Sequence, residues 1–308
     1  ARRVGVNTAV SPKAKDEFLS KNGDAIAIYQ LGLSVIKDIA GKNKDLMANF
    51  ASFPSAYLGL VDDKGNLQLY DGKLRLLDAK GFVLEDQVAG KDYLSIIEER
   101  VEDWSYMKFP TYKKMGYPGG MYRVGPLARV NVADNITTPL ANKEFKEFKK
   151  LGNGGMVGGS LFFHYARLIE GLYATERIKE LLQKDEICGT ELRASSSKYN
   201  EEGVGVLEAP RGTLFHHFWV DSAGTVKKAN IIVATQNNNL AMNRAVYLVA
   251  KDYVKADKLT EGMLNRVEVA IRCYDPCLSC ATHAIGQMPL SIELISHTGE
   301  VLDEVHTD

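Results

Sequence analysis

Apolar residues recur at helical spacing over residues 24–40, where Ile28, Leu31, Val35 and Ile39 fall on one stripe and predict an amphipathic helix facing a core. From residue 56 the period changes. Residues 57–61 and 66–70 read as two strands around the turn Asp62-Asp63-Lys64-Gly65, with a second turn at Asp78-Ala79-Lys80-Gly81. Residues 104–126 are aromatic and glycine-rich, and Tyr117-Pro118-Gly119-Gly120 marks a turn. Residues 143–150 form a charged, solvated helix face with Phe145 and Phe148 three apart. A long helix over 160–184 carries Leu161, Leu168, Leu172 and Leu182. Strands over 212–220 and 225–234 flank the turn Asp221-Ser222-Ala223-Gly224. A helix with Met242, Val246, Val249 and Tyr253 on one face follows, then another near 261–271. The chain closes on a short hairpin, 291–295 and 301–305, around His297-Thr298-Gly299. Helices interleaved with hairpins place the chain in the α+β class, with no internal repeat and no clear linker.

Composition narrows the picture. At 308 residues and 45% hydrophobic content, the chain can bury a large core. The net charge of −1 gives no footprint for nucleic acid or a membrane surface. No apolar run approaches the about 18 residues of a membrane span. Ala1-Arg2-Arg3 opens the chain without a signal-peptide pattern and without an initiator Met, so a processed or truncated start is expected. Four cysteines make no disulfide framework and suit a reducing, cytoplasmic setting.

Three of those four cysteines lie in the twelve residues Arg272-Cys273-Tyr274-Asp275-Pro276-Cys277-Leu278-Ser279-Cys280-Ala281-Thr282-His283. Thiolates and imidazole are ligands for zinc, nickel and iron, and Cys277-x-x-Cys280 lets two thiolates converge on one centre. The isolated Cys188 reads as a small buried hydrophobe. Cys273-x3-Cys277-x2-Cys280 is also the spacing of radical-SAM enzymes, but too little chain follows it for their barrel. Three cysteines and a histidine could instead hold structural zinc, although Asp275-Pro276 is a rigid extended pair rather than a zinc-knuckle turn. The remaining reading takes Asp275-Pro276-Cys277-x-x-Cys280-x-x-His283 as the unit, with two thiolates forming half of a binuclear site.

Other candidates carry less. His216-His217 sits in a strand, where neighbouring side chains point to opposite faces, and reads as structural. Gly152-Asn153-Gly154-Gly155-Met156-Val157-Gly158-Gly159-Ser160 lacks the lysine of a phosphate loop and reads as a loop ending in a Ser N-cap. Ser195-x-x-Lys198 stands without the motifs that accompany it in penicillin-binding enzymes. Glu208-Ala209-Pro210-Arg211-Gly212 is either a surface turn or, if buried, an arginine requiring an anionic partner.

The last reading of the cluster is also a resemblance. Asp-Pro-Cys-x-x-Cys-x-x-His near the C-terminus is similar to the distal cysteine motif of the large, catalytic subunit of [NiFe] hydrogenases. Tyr122-Arg123-Val124-Gly125-Pro126-Leu127-Ala128-Arg129, Phe163-His164-Tyr165-Ala166-Arg167, Glu208-Ala209-Pro210-Arg211-Gly212 and Ala234-Thr235-Gln236-Asn237-Asn238-Asn239-Leu240-Ala241-Met242-Asn243 also resemble that family. The likeness runs from about residue 25 to 308 and points to the cytoplasmic, bidirectional NAD-linked branch. It implies a mostly helical bundle with several peripheral β-hairpins.

The resemblance also implies roles. Cys277 would be a terminal nickel ligand and Cys280 a bridge between nickel and an iron carrying CN and CO. Arg211 would hang over the open coordination site, lined by Pro210 and Asp275. The Thr235 hydroxyl would bond a cyanide ligand, and His283 would hold a structural cation, usually magnesium. Hydrogen would be split heterolytically there. No Fe–S cluster belongs to this chain; electrons would leave through a small subunit with Fe–S clusters and diaphorase subunits that reduce NAD. The family's proximal motif, Arg-x-Cys-Gly-x-Cys, is absent, so residues 1–283 are expected to be an incomplete large-subunit domain. Residues 284–308 are expected to be a maturation extension, removed by an endopeptidase after chaperones have delivered the metals. Retention of Cys277 and Cys280 argues against a catalytically dead homologue; a zinc-binding interaction protein is the alternative.

Overall fold

The computed structural model describes residues 8–192, 200–254, 258–282 and 291–306. In chain order these form α1 (Pro12–Lys42), α2 (Lys44–Asn49), β1 (Ala56–Val61), β2 (Lys73–Leu77), β3 (Val83–Val88), β4 (Ile97–Arg100), β5 (Phe109–Tyr112), β6 (Tyr122–Arg123), α3 (Pro126–Val132), α4 (Pro139–Lys149) and α5 (Phe162–Leu182). The second half adds β7 (Glu202–Ala209), β8 (Gly212–Val220), β9 (Val226–Ile232), α6 (Ala234–Asn237), α7 (Asn239–Tyr253), α8 (Glu261–Cys273), α9 (Leu278–Thr282), β10 (Ser291–Ile295) and β11 (Val301–His306). The α+β class read from the sequence holds.

Two apolar clusters organise the molecule. The larger surrounds α5, whose Phe163, Ala166, Ile169 and Leu172 are enclosed by Phe145 and Phe148 of α4, Val130 of α3, Ala245 and Val249 of α7, and Val267 and Ala270 of α8. The smaller joins Leu58 and Leu60 of β1 and Leu74 and Leu76 of β2 to Tyr93, Ile97, Tyr112, Phe215 and Ile232. The sheet between them runs β3-β2-β1-β6, antiparallel except for the β1–β6 pair. Every residue of β1 is buried, as a strand covered on both faces requires. A separate sheet, β7-β8-β9, packs its Phe215 and Ile232 into the smaller cluster.

Several expectations need correction. The first helix begins at Pro12, where Ser11 caps it by accepting from the Ala14 N–H. Its stripe of Ile28, Leu31, Val35 and Ile39 faces outward: Ile28 is 68% and Leu31 65% exposed. The buried flank carries Leu33, with Ile26, Tyr29 and Ile36 packed alongside. That flank wins because glycines let the two helices approach: Gly32 meets Leu168, and Gly171 meets the Tyr29 ring. The strand read at 66–70 is reduced to two isolated bridges, Leu67 to Val61 and Asn66 to Asn135; β1 pairs instead with β2, beyond it. Residues 204–209 join a three-stranded sheet rather than preceding a simple hairpin. Ser160 does not cap α5, because its hydroxyl donates to the Ala51 carbonyl. Lys149, read as part of a solvated face, is largely buried and donates to the Asn131 carbonyl at the end of α3. Cys188 is half-buried rather than core. His217 is buried and His216 exposed, as strand alternation requires.

Arg75 ties the sheet to its surroundings. It donates to both Asp86 oxygens at 2.8 and 3.0 Å and to Asp134 at 2.7 Å. Hydrogen bonds from Arg75 hold the Asp86 carboxyl below its ordinary range, against burial. A depressed carboxylate adds stability above its ordinary range and loses it as pH falls through the depressed value. The urea midpoint should therefore drop on acidification through that window, and Arg75→Met should flatten the drop. With Asp86 36% exposed, the contribution is about 1 kcal/mol or less. An equally steep acid limb in Arg75→Met would show that this pair contributes nothing.

Candidate metal centre

The Gly125-Pro126 pair ends β6 and starts α3: Pro126 occupies the first helical turn, where no N–H is needed, and Gly125 is the N-cap with φ +90°. A Cβ on Gly125 would lie 2.7 Å from the Arg211 carbonyl oxygen, so glycine lets the strand end touch the Arg211 turn. Gly212, at φ +143°, faces the same contact, and a Cβ there would lie 2.2 Å from Val124 Cγ2. Pro210 and Arg211 are the two residues turning β7 into β8, since Ala209 pairs with Gly212. Gly125→Ala should therefore destabilise the fold by about 2–4 kcal/mol, combining backbone strain with overpacking. Denaturant unfolding measures this, and an unchanged midpoint would mean that the turn does not lean on Gly125.

Three further elements meet at this turn. Arg167, on α5, donates to the Cys273 carbonyl at 3.0 Å and so closes the C-terminal end of α8. Phe163 packs on Tyr274 with ring centroids 4.7 Å apart. The chain then bends sharply at Asp275, whose φ of +50° is uncommon for a residue with a side chain. Arg211 Nε donates to the Asp275 carbonyl at 2.6 Å and lies 3.5 Å from Asp275 Oδ2. Two residues on, the Cys277 N–H donates to the Thr235 hydroxyl oxygen at 3.1 Å. As an acceptor here, that hydroxyl keeps its own hydrogen to donate. The two sulfurs of Cys277 and Cys280 are joined as a disulfide, with Cα atoms 5.3 Å apart. Cys277 is half-buried and Cys280 exposed.

Of the residues singled out in the sequence, Arg211, Pro210, Asp275, Thr235, Cys277 and Cys280 thus come together from three separate parts of the chain. His283 lies outside the described residues, as do residues 284–290, Ser195 and Lys198. Cys273 is fully buried, and burial pushes its thiol up to about 12, so it stays protonated. Cys273 packs within the larger apolar cluster. Among the described residues, no group of three His, Cys, Asp or Glu side chains is placed to hold a metal ion.

Sequence reasoning missed the network behind the turn. Arg129 is 2% exposed and spends every N–H: Nε and one Nη on Glu170, the other Nη on Glu208, and both Nη also on the carbonyls of Ala209 and Pro210. Burial alone would lower the Arg129 pKa; Glu170 and Glu208 reverse this and keep the guanidinium charged. Burial raises the Glu208 carboxyl, against the pull of Arg129. The signal was a charged residue inside each of two apolar runs, Arg129 after Leu127-Ala128 and Glu170 after Leu168-Ile169.

A nickel-dependent hydrogenase family model matches residues 64–283. The chain belongs to that family. It is 41% identical over 312 aligned positions to the NAD-reducing hydrogenase HoxS subunit beta of Cupriavidus necator, covering 97% of this chain and 63% of that protein. It is 32% identical to the Sulfhydrogenase 2 subunit alpha of Pyrococcus furiosus, covering 68% of this chain and 52% of that one. Among solved structures, an NAD+-reducing [NiFe]-hydrogenase in the H2-reduced state superposes with a TM-score of 0.86 at 40% identity, covering 91% of this chain and 62% of the other. The Ni-Fe-Se hydrogenase of D. vulgaris Hildenborough shares the fold, with a TM-score of 0.67 at 21% identity, covering 91% of this chain and 63% of the other. The chain thus spans about 63% of the length of the NAD-reducing relative. The mostly helical architecture with peripheral hairpins implied by the sequence resemblance is that of the family.

The local chemistry fits a soft metal centre. Two cysteine sulfurs converge at a Cys-x-x-Cys and would become a thiolate pair on reduction, on a backbone held by Thr235, with a guanidinium and a carboxylate alongside. Among the described residues, no helix is long and apolar enough to cross a membrane.

Proposed function

We propose that this chain carries the distal half of a nickel–iron centre and serves in the catalytic subunit of a hydrogenase that splits and forms H2 reversibly, linked to NAD in the cytoplasm. What supports this reading is the meeting of Arg211, Asp275, Thr235 and Cys277, drawn from positions 42 to 64 residues apart, around a Cys-x-x-Cys in a family of nickel-dependent hydrogenases.

Cys277 and Cys280, once reduced, would hold the nickel–iron centre through their two thiolates. When bound, the centre, with CN and CO on its iron, supplies the charge stabilisation that polarises dihydrogen for heterolysis. The chain's own residues do the rest. Thr235 fixes the Cys277 backbone and keeps its hydroxyl hydrogen free to donate to a ligand of the centre. Arg211, tethered to the Asp275 carbonyl, would bring its cationic fork to the open side of the centre. Asp275 stands beside it, its carbonyl accepting from Nε and its carboxylate 3.5 Å away as the counter-charge. Pro210 keeps the turn stiff and apolar. His283 holds a magnesium-like cation. Electrons leave through a small subunit with Fe–S clusters and diaphorase subunits, as expected of an NAD-reducing relative's complex; this chain holds no Fe–S cluster.

Residues 284–308 form the maturation extension, released by an endopeptidase once chaperones have loaded the metals. Its hairpin, β10–β11, lies beyond the last residue of the family match. One experiment tests the whole reading. The protein matured in its host should contain nickel and iron, and mass spectrometry of the same sample should end this chain at His283. Stoichiometric zinc, or residues 284–308 still attached in nickel-loaded active protein, would overturn it.

A further inference from the structure

We propose that Arg129 is the positioning residue for Arg211: its guanidinium, locked between Glu170 and Glu208, grips the carbonyls of Ala209 and Pro210 and so sets where the Arg211 side chain starts. The inference rests on the role given to Arg211 above, and its test separates the two.

A buried arginine that served only as an ion pair would spend its fork on carboxylates. This one spends two of its five N–H bonds on the two carbonyls immediately before Arg211, at 2.9 Å to Ala209 and 3.0 Å to Pro210. The remaining three hold the fork in plane. Nε and Nη2 go to the two oxygens of Glu170 at 2.5 and 2.6 Å, and Nη1 to Glu208 at 2.8 Å. Glu208 is itself fixed, because its other oxygen accepts from the Leu60 N–H and the Thr213 hydroxyl. The clamp is therefore anchored in α5, β7, β8 and β1 together. Arg129 projects from α3, the helix whose N-cap, Gly125, also abuts the Arg211 carbonyl. One helix holds the turn at two points, while the Asp275 carbonyl holds the Arg211 side chain from the other side.

A lysine at 129 would keep the charge but offers three tetrahedral donors in place of a planar fork of five, so it cannot serve both carboxylates and both carbonyls. The turn would relax, and Arg211 would lose its fixed origin. Misplacing a reacting group's partner by about 1 Å costs about 10²-fold in rate. A residue acting only through Arg211 can do no further harm once Arg211 is already replaced.

The test uses Arg129→Lys and the milder Glu170→Gln, each alone and combined with Arg211→Lys, in the full chain with its partners. Two readouts are taken. Deuterium exchange over residues 208–213, measured before metal insertion, should speed up by about tenfold or more while α7 stays as protected as in wild type. In matured protein of unchanged nickel content, Arg129→Lys should lower H2 turnover by about 10–100-fold, yet cause less than about a twofold further loss on the Arg211→Lys background. Where Arg129→Lys does not fold, Glu170→Gln decides by the same readouts with smaller shifts. Unchanged exchange over 208–213 in a folded variant, or losses that multiply independently of Arg211, would overturn the proposal. If wild-type protein matures without nickel, the reading of Arg211 fails instead, and the exchange data alone decide the clamp.

Discussion

Replacing Arg211 with lysine in the matured protein should lower H2 turnover by about 10²–10³-fold, the usual effect of losing one preorganised charged group, while nickel content and thermal stability stay near wild type. The stability half follows from exposure. The Arg211 side chain is 37% and that of Asp275 47% exposed, so their pairing adds little to folding. The rate half follows from shape. Arg211 reaches the Asp275 carbonyl through Nε, which leaves the two Nη groups of its planar fork uncommitted to that tether. Lysine has no equivalent of Nε, so it cannot be tethered and face the site at once. Hydrogen–deuterium exchange activity, normalised to nickel, is the measurement. Near wild-type turnover in a fully loaded Arg211→Lys protein would reduce Arg211 to a turn residue.

Cys277→Ser should remove nickel from the matured protein down to background and abolish H2 turnover with it. The substitution is nearly isosteric, but a hydroxyl is a hard, protonated donor where a soft thiolate is needed. Once the Cys277–Cys280 link is reduced, the half-buried Cys277 sits on a short segment whose backbone is still held by Thr235. Unfolding of the metal-free protein under reducing conditions should therefore shift by no more than about 2 °C. Elemental analysis and a thermal scan on the same preparation check both halves. Full nickel content in Cys277→Ser would move the centre elsewhere. Under the zinc alternative, Cys273→Ser should matter as much; enclosed in the larger apolar cluster, Cys273 should instead be neutral toward metal content.

How much of this was legible beforehand depended on distance along the chain. The helices over 162–182, 239–253 and 261–273 and the hairpin at 291–306 were readable because their apolar spacing and turn residues are local signals. The residues that meet at the turn, Arg211, Asp275, Thr235 and Cys277, were singled out from short motifs. The orientation of α1 was not. Its strongest apolar stripe faces outward, and which flank is buried was decided by two glycines, Gly32 and Gly171, far apart in sequence. The solvated reading of Lys149 failed for a similar reason: its partners are the carbonyls that end another helix. The Arg129 clamp was hidden because its carboxylates sit 41 and 79 residues away, and nothing near Arg129 hints at either.

Those separations have a consequence in time. The bonds that define the site close over 42, 64 and 81 residues, between Cys277 and Thr235, Arg211 and Asp275, and Arg129 and Pro210. The β7–β8 hairpin and the α8 helix can each form from near neighbours, but their meeting must wait for long loops to close. The hairpin belongs to the smaller apolar cluster and α8 to the larger one, so the site lies at the seam between the two clusters. During synthesis such a seam closes late, and until it does, Cys277 and Cys280 stand open beside a half-built wall.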